Sequence, residues 1–442
     1  MLNQHVLCFE HETLYPTGCV LKPADGLREI PQALFDELFY AGLDAGNDKP
    51  QQQPQVWFVR EWLGRQPVLK TRQYVGVVQG RCGHVLEILP KTGKAGHDAS
   101  EMRLMLLHML HALPDMPFKT LPQPALVQLA KMPLLQVFIQ QALSSIANVI
   151  QHGLKQQYQS TQDNQPMLRG RLLISQQVRY NHSNQAHFYS EHDEYVANCA
   201  ENRILRLALT IISRFPHAAT YQHLVHACIQ HMAHIPVSRQ PEQDFKSIQL
   251  DRNNQYYASA LQWAKLVITD FSPSVGLGQQ TALSLLFDMN KLFESIVACQ
   301  LKRQLPIGWQ LKTQQQTAAL VQVNQQPQRK LQPDLLLFDQ QQAVALLDCK
   351  WKLKSGRTFS QLNPDEQELY QMFAYAAAYL PKGGNVCLIY PKTPQFSRAV
   401  EQAVFHHIRD VEVHLWLLPF CLQRFELVDA PFQWSSITVK LD

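Results

Sequence analysis

The sequence predicts a multidomain protein of mixed α+β and α/β class, with β-rich, mainly helical and αβββαβ parts in that order. Its 442 residues exceed what one hydrophobic core usually serves, so two or three domains are expected. Strand-like runs dominate up to about residue 95, and a helical apolar period replaces them from about residue 100. We therefore predict an N-terminal β-rich domain over 1–98, a mainly helical middle region over 99–275 and an αβββαβ domain over 276–442.

The first two regions are separated by this change of pattern. Residues 74–78 and 85–89 are typical of short strands, with Gly80 and Gly83 in the turn between them. The middle region predicts a β-containing excursion over 167–194, and helices over 123–158, 195–214, 220–234 and 254–268.

The last region predicts a helix, three strands, a second helix and further strands. A continuous apolar stripe indicates a helix over about 281–303. Asn363 as N-cap, Pro364 in the first turn and Glu366 as capping-box residue predict the start of a helix that runs through Tyr379. The predicted strands lie near 318–323, 333–338, 343–352, 386–390 and 411–417.

Asp334 and Asp348 flank two apolar runs that predict a hairpin, with strands at 335–338 and 343–347. An odd-numbered loop, such as 340–342, would place the two aspartates directly opposite each other on one face of the sheet. An even-numbered loop would send them to opposite faces. Lys350 is two residues beyond Asp348 and so points the same way.

Two carboxylates and a lysine in this arrangement suit a divalent-metal site for phosphodiester hydrolysis. Mg²⁺ prefers carboxylate oxygens and keeps several waters, which leaves room for a phosphate. A bound metal acidifies water and stabilises charge on phosphoryl oxygens, and an ammonium nearby stabilises the attacking hydroxide. The alternative is a plain hairpin with a surface aspartate and an Asp-Lys pair, because so short a pattern often matches by chance.

Composition restricts the other classes of function. A net charge of +4 permits contact with nucleic acid but is far from that of a basic tail. The nine cysteines form no CxxC pair, which disfavours a disulfide framework and a zinc ribbon and fits a reducing, cytoplasmic location. No apolar run reaches transmembrane length. No GxxxxGK[ST] motif is present either, and we therefore expect that this chain alone binds no nucleotide.

Four histidines form a second possible metal cluster. His223, His226, His231 and His234 would fall within an arc of about 140° on one continuous helix, a spacing that could bind zinc. No acidic or cysteine partner accompanies them, so a solvated helix face is the favoured interpretation.

Several motifs, in order over most of the chain, match one known pattern. They are Tyr74-Val75-Gly76-Val77, Glu87-Ile88-Leu89-Pro90-Lys91, Leu168-Arg169-Gly170-Arg171-Leu172, Glu201-Asn202-Arg203-Ile204-Leu205, Asp288-Met289-Asn290-Lys291-Leu292-Phe293-Glu294, Pro333-Asp334, Leu347-Asp348-Cys349-Lys350-Trp351-Lys352 and Tyr370-Gln371-Met372-Phe373-Ala374-Tyr375. This pattern resembles the McrC family, the nuclease subunits of modification-dependent restriction systems that work with an AAA+ GTPase, McrB. Its αβββαβ part resembles the wider PD-(D/E)XK nuclease superfamily.

The resemblance implies a metal centre around the Asp-x-Lys motif. Asp334 and Asp348 would bind Mg²⁺ or Mn²⁺ together with the backbone carbonyl of Cys349, a position where the family usually has Ala. Lys350 would stabilise the attacking hydroxide and the transition state.

Three accessory positions also follow from the resemblance. Glu294 would assist at the metal or its water shell, the alternative being a solvated helix glutamate. Gln371 and Tyr375, four apart on one helix face, would organise the site or contact DNA, unless they form a boundary pair that covers the sheet. Lys352 has the strand parity to contact phosphate, although a solvated strand-end lysine is the safer interpretation.

The resemblance further implies double-stranded DNA and an AAA+ GTPase of McrB type as partners. The chain would be the Mg-dependent endonuclease subunit of a type IV restriction complex, directed at modified cytosine in antiviral defence, and would stimulate its partner's GTPase. Alternatives are a GTPase-activating assembly factor with a vestigial nuclease fold and a stand-alone DNA repair nuclease. Candidates for the stimulating contact, each of which equally fits an ordinary surface residue, are Arg169, Arg171, Asn202 and Arg203.

Overall fold

The computed structural model describes most of the chain. The described residues are 5–19, 25–40, 57–80, 82–91, 98–114, 116–120, 122–183, 186–214, 219–270, 283–323, 326–405 and 411–430. They divide into two compact units, one formed by Met1–Met132 with Leu286–Asp442 and the other by Pro133–Leu285. Within the described part of the chain, no helix is long and apolar enough to cross a bilayer.

The N-terminal segment is rich in β-structure, as predicted. Val75, Val77 and Val78 are buried on a strand that pairs with a fully buried neighbour at 85–89. The elements are β1 His5–Phe9, β2 Thr13–Pro16, β3 Leu27–Ile30, α1 Gln32–Tyr40, β4 Phe58–Leu63, β5 Gln66–Thr71, β6 Tyr74–Gln79, β7 Val85–Leu89, α2 Ala99–Ala112, a 3-10 helix Pro117–Thr120 and α3 Gln123–Leu129.

The second unit is a helical bundle that also contains the strands β8 Gln157–Gln165, β9 Arg171–Leu172 and β10 Phe188–Val196. The strand β9 lies within the predicted excursion over 167–194 and β10 overlaps it, whereas β8 precedes it. Antiparallel pairing joins β8 to β10 and β10 to β9 in a three-stranded sheet. The elements are α4 Leu134–His152, β8 Gln157–Gln165, β9 Arg171–Leu172, α5 Ile174–Asn181, β10 Phe188–Val196, α6 Ala200–Ile212, α7 Ala219–His231, α8 Pro241–Ser247 and α9 Tyr257–Asp270.

The C-terminal segment builds the largest sheet. Its elements are β11 Leu283–Asp288, α10 Met289–Gln304, β12 Trp309–Thr313, β13 Ala318–Val323, β14 Gln326–Leu331, β15 Leu335–Asp339, β16 Gln342–Cys349, α11 Phe359–Leu362, α12 Glu366–Tyr379, β17 Gly384–Pro391, β18 Val400–Phe405, β19 Val413–Cys421 and β20 Glu426–Leu427. The strand order is β12-β15-β16-β17-β19-β18, with β20 paired to β19. The neighbours β16, β17 and β19 run parallel, while the β12–β15, β15–β16 and β18–β19 pairs are antiparallel.

The core of this sheet explains which face carries polar groups. Leu336 and Leu346 pack with Met372 and Tyr375 of α12 in one buried cluster. Alternate residues of a strand share a face. Asp334 and Asp348, each two positions from one of these leucines, therefore lie on the α12 side, where the cluster ends.

Two four-stranded sheets also belong to this unit, in the orders β1-β7-β6-β11 and β3-β2-β5-β4. The first contains β11, where the sequence predicts the beginning of a helix at about 281. That prediction is wrong up to Asp288, because an apolar run satisfies both the helical and the strand period. Asp288 is the N-cap that ends the strand, and its carboxylate accepts a 3.0 Å hydrogen bond from the amide of Asn290.

Two further details of the C-terminal prediction need correction. The strand at 318–323 exists, but among the described strands it pairs with β14 alone, in a separate two-stranded sheet, and β12 takes the edge of the main sheet. The N-cap of α12 is Asp365 rather than Asn363, with Glu368 rather than Glu366 completing the capping box. Residues 271–282 lie outside the described residues, so the predicted domain boundary near 275 stays a prediction.

Candidate active site

The β15–β16 hairpin brings Asp334 and Asp348 together by a route that the sequence does not predict. Asp339 pairs with Gln342, so the loop has an even number of residues, the second of the two alternatives that the sequence leaves open. By itself this loop would place the two carboxylates on opposite faces. A β-bulge between Leu337 and Phe338 shifts the register by one residue, and Leu335 then pairs with Leu347. Continued by one pair, this register sets Asp334 opposite Asp348.

Backbone hydrogen bonds hold the Asp334 carboxylate beside β16. The amide of Cys349 donates to Oδ2 of Asp334 over 2.8 Å. The carbonyl of Asp334 accepts a 2.9 Å hydrogen bond from the amide of Gln314, just beyond β12. The position of this carboxylate is therefore set by three adjacent strands of the sheet.

Asp348 is buried, with 2% of its surface exposed, and its Oδ2 lies 2.7 Å from Nζ of Lys350. The ammonium of Lys350 compensates this buried charge, and the neighbouring carboxylate of Asp334 adds further negative charge to the site.

Burial and mutual repulsion set the protonation of this pair. Burial raises the pKa of Asp348, and the neighbouring Asp334 charge raises it further, while Lys350 opposes both effects. Burial likewise raises the pKa of Asp334. The two carboxylates share one site, so they titrate as a pair and the ionised form needs added positive charge.

Lys350 supplies part of that charge. Burial alone would lower its pKa, but the charges of Asp348, Asp334 and Glu368 together raise it. The ammonium therefore stays protonated at neutral pH.

Glu294 of α10 faces the same site. Burial and the Asp348 charge raise its pKa, and Gln314 Nε2 donates a 3.2 Å hydrogen bond to its Oε1. Gln314 thus contacts both Glu294 and the backbone of Asp334. It adopts a positive φ of 48°, an uncommon conformation outside glycine, and it lies in a glutamine-rich stretch that gives no sequence signal of its place.

The helix α12 contributes the predicted Gln371–Tyr375 pair. Lys350 Nζ donates to Oε1 of Gln371 at 3.5 Å, and Gln371 Nε2 donates to the Tyr375 hydroxyl at 2.9 Å. That hydroxyl donates in turn to the carbonyl of Gln332 at 3.0 Å, two residues before Asp334. The Gln371–Tyr375 pair therefore covers the sheet and also connects Lys350, through hydrogen bonds, to the segment before β15 that contains Asp334.

A second ion-pair network adjoins the site and was not predicted. Lys352 contacts Asp365 and lies 2.7 Å from Oε1 of the buried Glu368. Oε2 of Glu368 accepts a 2.9 Å hydrogen bond from the Tyr390 hydroxyl. Lys352 is therefore paired with carboxylates rather than merely solvated. In the sequence, Glu368 can be recognised as a capping-box residue, but nothing there indicates that it also pairs with Lys352.

The arrangement can be tested against a divalent cation. In the described part of the chain, no three His, Cys, Asp or Glu side chains converge on one metal position. Mg²⁺, however, is usually held by one or two carboxylates and keeps several waters. The two neighbouring carboxylates and their raised pKa values fit such a cation, because its charge would stabilise their ionised forms.

The predicted residues of the middle region do not form a comparable site. Asn202 is fully buried, and its side chain makes hydrogen bonds of 2.9 Å to Lys155 O, 2.8 Å to Ala197 O and 2.7 Å from the Tyr257 hydroxyl. We correct the prediction for Asn202 accordingly: its side chain supports the helix bundle and offers no free group to a partner.

The three arginines of that prediction divide into two kinds. Arg203 donates to both carboxylate oxygens of Asp244, at 2.6 and 3.2 Å, which fits the structural alternative. Arg169 and Arg171 are both exposed. Arg169 lies between β8 and β9, and Arg171 is the first residue of β9. His223, His226, His231 and His234 are exposed as well, on and just after α7.

Comparison with known proteins identifies the family. Residues 69–391 match the family model described as McrBC 5-methylcytosine restriction system component. The chain therefore belongs to this family of restriction-system components. Within it, the resemblance to McrC that the motifs indicate is confirmed.

One solved structure supports the fold by its similarity over nearly the whole chain. One similar chain belongs to a refined half-complex from a tetradecameric assembly of Thermococcus gammatolerans McrB AAA+ hexamers with bound McrC. It is 18% identical, with 97% of each chain covered and a TM-score of 0.63. A chain of the cryo-EM structure of the Thermococcus gammatolerans McrBC complex is 20% identical, covering 68% of this chain and 88% of that one, with a TM-score of 0.47. No curated protein matches.

Proposed function

We propose that this chain is the Mg-dependent DNA endonuclease subunit of a GTP-dependent restriction complex directed at modified cytosine. The observation that carries the proposal is the convergence of Asp334, Asp348 and Lys350 on one face of the sheet, where two neighbouring carboxylates share one lysine ammonium. Two buried carboxylates with one lysine leave negative charge that a divalent cation would compensate, which favours a working site over a vestigial fold.

The proposed site has the parts of a PD-(D/E)XK nuclease. The helix α10, the strands β12, β15 and β16, the helix α12 and the strand β17 follow one another in the αβββαβ order. The acidic pair lies on the second and third of these strands. The separate β13–β14 hairpin is an insertion between the first two strands.

Asp334, Asp348 and the carbonyl of Cys349 would hold Mg²⁺ or Mn²⁺, with Glu294 at its water shell. Such a metal lowers the pKa of a bound water and stabilises charge on phosphoryl oxygens. Lys350, kept protonated by the surrounding carboxylates, stabilises the hydroxide and the developing negative charge. Gln371 accepts from the lysine ammonium and so limits the positions that it can adopt.

The partner follows from the family and from what the chain lacks. The sequence holds no GxxxxGK[ST] motif, and a similar chain comes from an assembly of McrB AAA+ hexamers with bound McrC. In this proposal a partner of that type binds and hydrolyses GTP, and double-stranded DNA is the substrate of the complex in the cytoplasm.

The proposal is tested by cleavage of methylated DNA with the partner GTPase, GTP and Mg²⁺. Asp348→Asn keeps the size of the side chain but removes the charge that holds the metal, so DNA cleavage should fall below detection. Asp339→Asn is the matched control, because this exposed carboxylate lies on β15 at the far end of the same hairpin. Equal loss in both variants, or cleavage by Asp348→Asn at the wild-type rate, would contradict the proposal.

Stimulation of the partner's GTPase is a second proposed activity, and the exposed pair Arg169 and Arg171 favours it. An arginine reaching a nucleotide site can stabilise charge in the transition state. Replacing both by Ala should reduce GTPase stimulation by at least tenfold on this reasoning. Arg179→Ala, an exposed arginine on the nearby α5, is the control. Unchanged stimulation in the double variant would exclude this pair.

A further inference from the structure

A buried contact joins the N-terminal segment to the motif that carries Lys350. Trp351, the residue after Lys350, donates its indole Nε1–H to Oε1 of Glu10 over 2.8 Å. Glu10 is 2% exposed and Trp351 is 8% exposed. The two residues are 341 positions apart in sequence, so the contact is a product of the tertiary fold.

Glu10 is held at the point where two parallel strands end. Phe9 of β1 pairs with Leu89 of β7, and the amide of Glu10 donates to the carbonyl of Leu89 at 2.9 Å. The amide of Lys91 donates to Oε1 of Glu10, also at 2.9 Å. The same oxygen therefore accepts from the β7 end and from Trp351, which fixes the indole relative to the N-terminal sheet.

Stability alone does not account for a carboxylate here. Oε2 of Glu10 is buried, accepts no hydrogen bond from a described residue, and lies 4.0 Å from the half-exposed ring of His11. A partly satisfied buried carboxylate is a net cost to folding. The other oxygen of Glu10, Oε1, accepts the hydrogen bond that orients the Trp351 side chain.

Trp351 packs on the residue before Glu294 and is itself the residue after Lys350. Its ring packs on Phe293 with centroids 5.5 Å apart, and Phe293 directly precedes Glu294 on α10. On the other side, β16 ends at Cys349, and the amide of Lys350 donates to the carbonyl of Ile389 at 2.9 Å. Beyond that bond, the anchored indole restrains the chain next to Lys350 together with a 2.9 Å hydrogen bond from the amide of Lys352 to the carbonyl of Lys350.

We propose that Glu10 is a positioning residue that acts through Trp351 on Lys350 and Glu294 and so ties the N-terminal sheet to the nuclease site. The inference rests on the proposed function for its effect on cleavage, but the positional link itself is independent of it. Misplacing a catalytic group by about 1 Å can reduce a rate up to about a hundredfold.

Three variants separate the hydrogen bond from the packing around it. Trp351→Phe removes the donor but keeps an aromatic ring against Phe293. Glu10→Ala removes the acceptor, whereas Glu10→Gln keeps a carbonyl oxygen at the same place. Trp416→Phe is the matched control, because its indole also donates to a side chain, Asn385, over 2.9 Å, but on β19 away from the N-terminal segment.

In the full complex with GTP, Mg²⁺ and methylated DNA, Trp351→Phe and Glu10→Ala should lower the single-turnover cleavage rate by about tenfold or more. Glu10→Gln should stay within about threefold of wild type, since it preserves the acceptor, and Trp416→Phe should match wild type. A Trp351→Phe rate equal to that of the Trp416→Phe control, or no rescue by Glu10→Gln, would overturn the proposal.

A second readout does not need cleavage. In ¹⁵N-lysine-labelled protein, the backbone amide resonance of Lys350, assigned by its loss in Lys350→Arg, should shift in Glu10→Ala, return close to its wild-type position in Glu10→Gln and stay unchanged in Trp416→Phe. If wild type fails to cleave but the resonance shifts, the proposed function fails and the positional link stands. An unshifted Lys350 amide would overturn the link even in an active nuclease.

Discussion

Asp348 in the large sheet and Asn202 in the helical unit are both buried polar side chains from matched family motifs. Asn202 is satisfied, with hydrogen bonds to two carbonyls and from one hydroxyl. Asp348 instead lies beside a second carboxylate, that of Asp334, and forms a 2.7 Å ion pair with Lys350. Burial alone therefore does not distinguish a candidate site residue from a structural one, whereas the charges around the buried group do.

The largest effect is expected at the lysine beside Asp348. Lys350→Gln removes the ammonium that stabilises developing charge, so cleavage by the complex should fall by about 10²–10³-fold. Binding of Mg²⁺ should persist or strengthen, because a competing cation next to Asp348 is lost. Single-turnover cleavage and calorimetric Mg²⁺ titration measure the two effects.

Lys382→Gln, on the exposed surface before β17, controls for loss of one positive charge. A rate within tenfold of wild type would remove Lys350 from the chemistry.

A large effect on stability is expected at Asn202. Asn202→Ala removes three buried hydrogen bonds, to Lys155 O, to Ala197 O and from the Tyr257 hydroxyl, so the free energy of unfolding should drop by about 3 kcal/mol. Urea denaturation measures this change, and Asn253→Ala, an exposed asparagine of the same unit, should cost less than about 0.5 kcal/mol. If Asn202→Ala were as stable as that control, the contrast with Asp348 would collapse.

A smaller effect is expected from the titration of Glu10. Burial raises the pKa of Glu10 from its usual 4.5 to about 7. Between these values the folded protein keeps a proton that the unfolded chain has released, so stability is fully present below pH 4.5 and declines as pH rises towards 7. The slope from this group is at most about 1.4 kcal/mol per pH unit.

Glu10→Gln cannot titrate and should lose that slope. Urea denaturation of wild type and variant at several pH values across this window gives the difference. His11 and Lys91, the other charged groups near Glu10, are present in both proteins and largely cancel. Parallel pH profiles for wild type and variant would show that Glu10 is ionised throughout.

The sequence predicts the elements that carry the site better than it predicts their junctions. The apolar runs around Asp334 and Asp348 predict both strands, since a buried strand needs nothing more than such a run. The bulge that aligns the two carboxylates leaves no such signal, because it depends on how two strands fit each other.

Contacts between distant segments are the other part that sequence reasoning misses. Local periodicity assigned Leu285 and Leu286 to a helix, but pairing with the N-terminal sheet makes them part of β11. Glu10 and Trp351 carry no local pattern that joins them, although Trp351 belongs to a matched motif. Tertiary packing decided both cases.

The central claim is that Asp348 is a ligand of a metal site. The most direct test is Mn²⁺ binding to the isolated chain, measured by electron paramagnetic resonance. Wild type and Asp339→Asn should bind Mn²⁺ with the same affinity, and Mg²⁺ should displace it. Asp348→Asn should lose at least about tenfold in affinity, because a neutral amide replaces a ligating carboxylate. Equal Mn²⁺ affinity in wild type and Asp348→Asn would contradict the account.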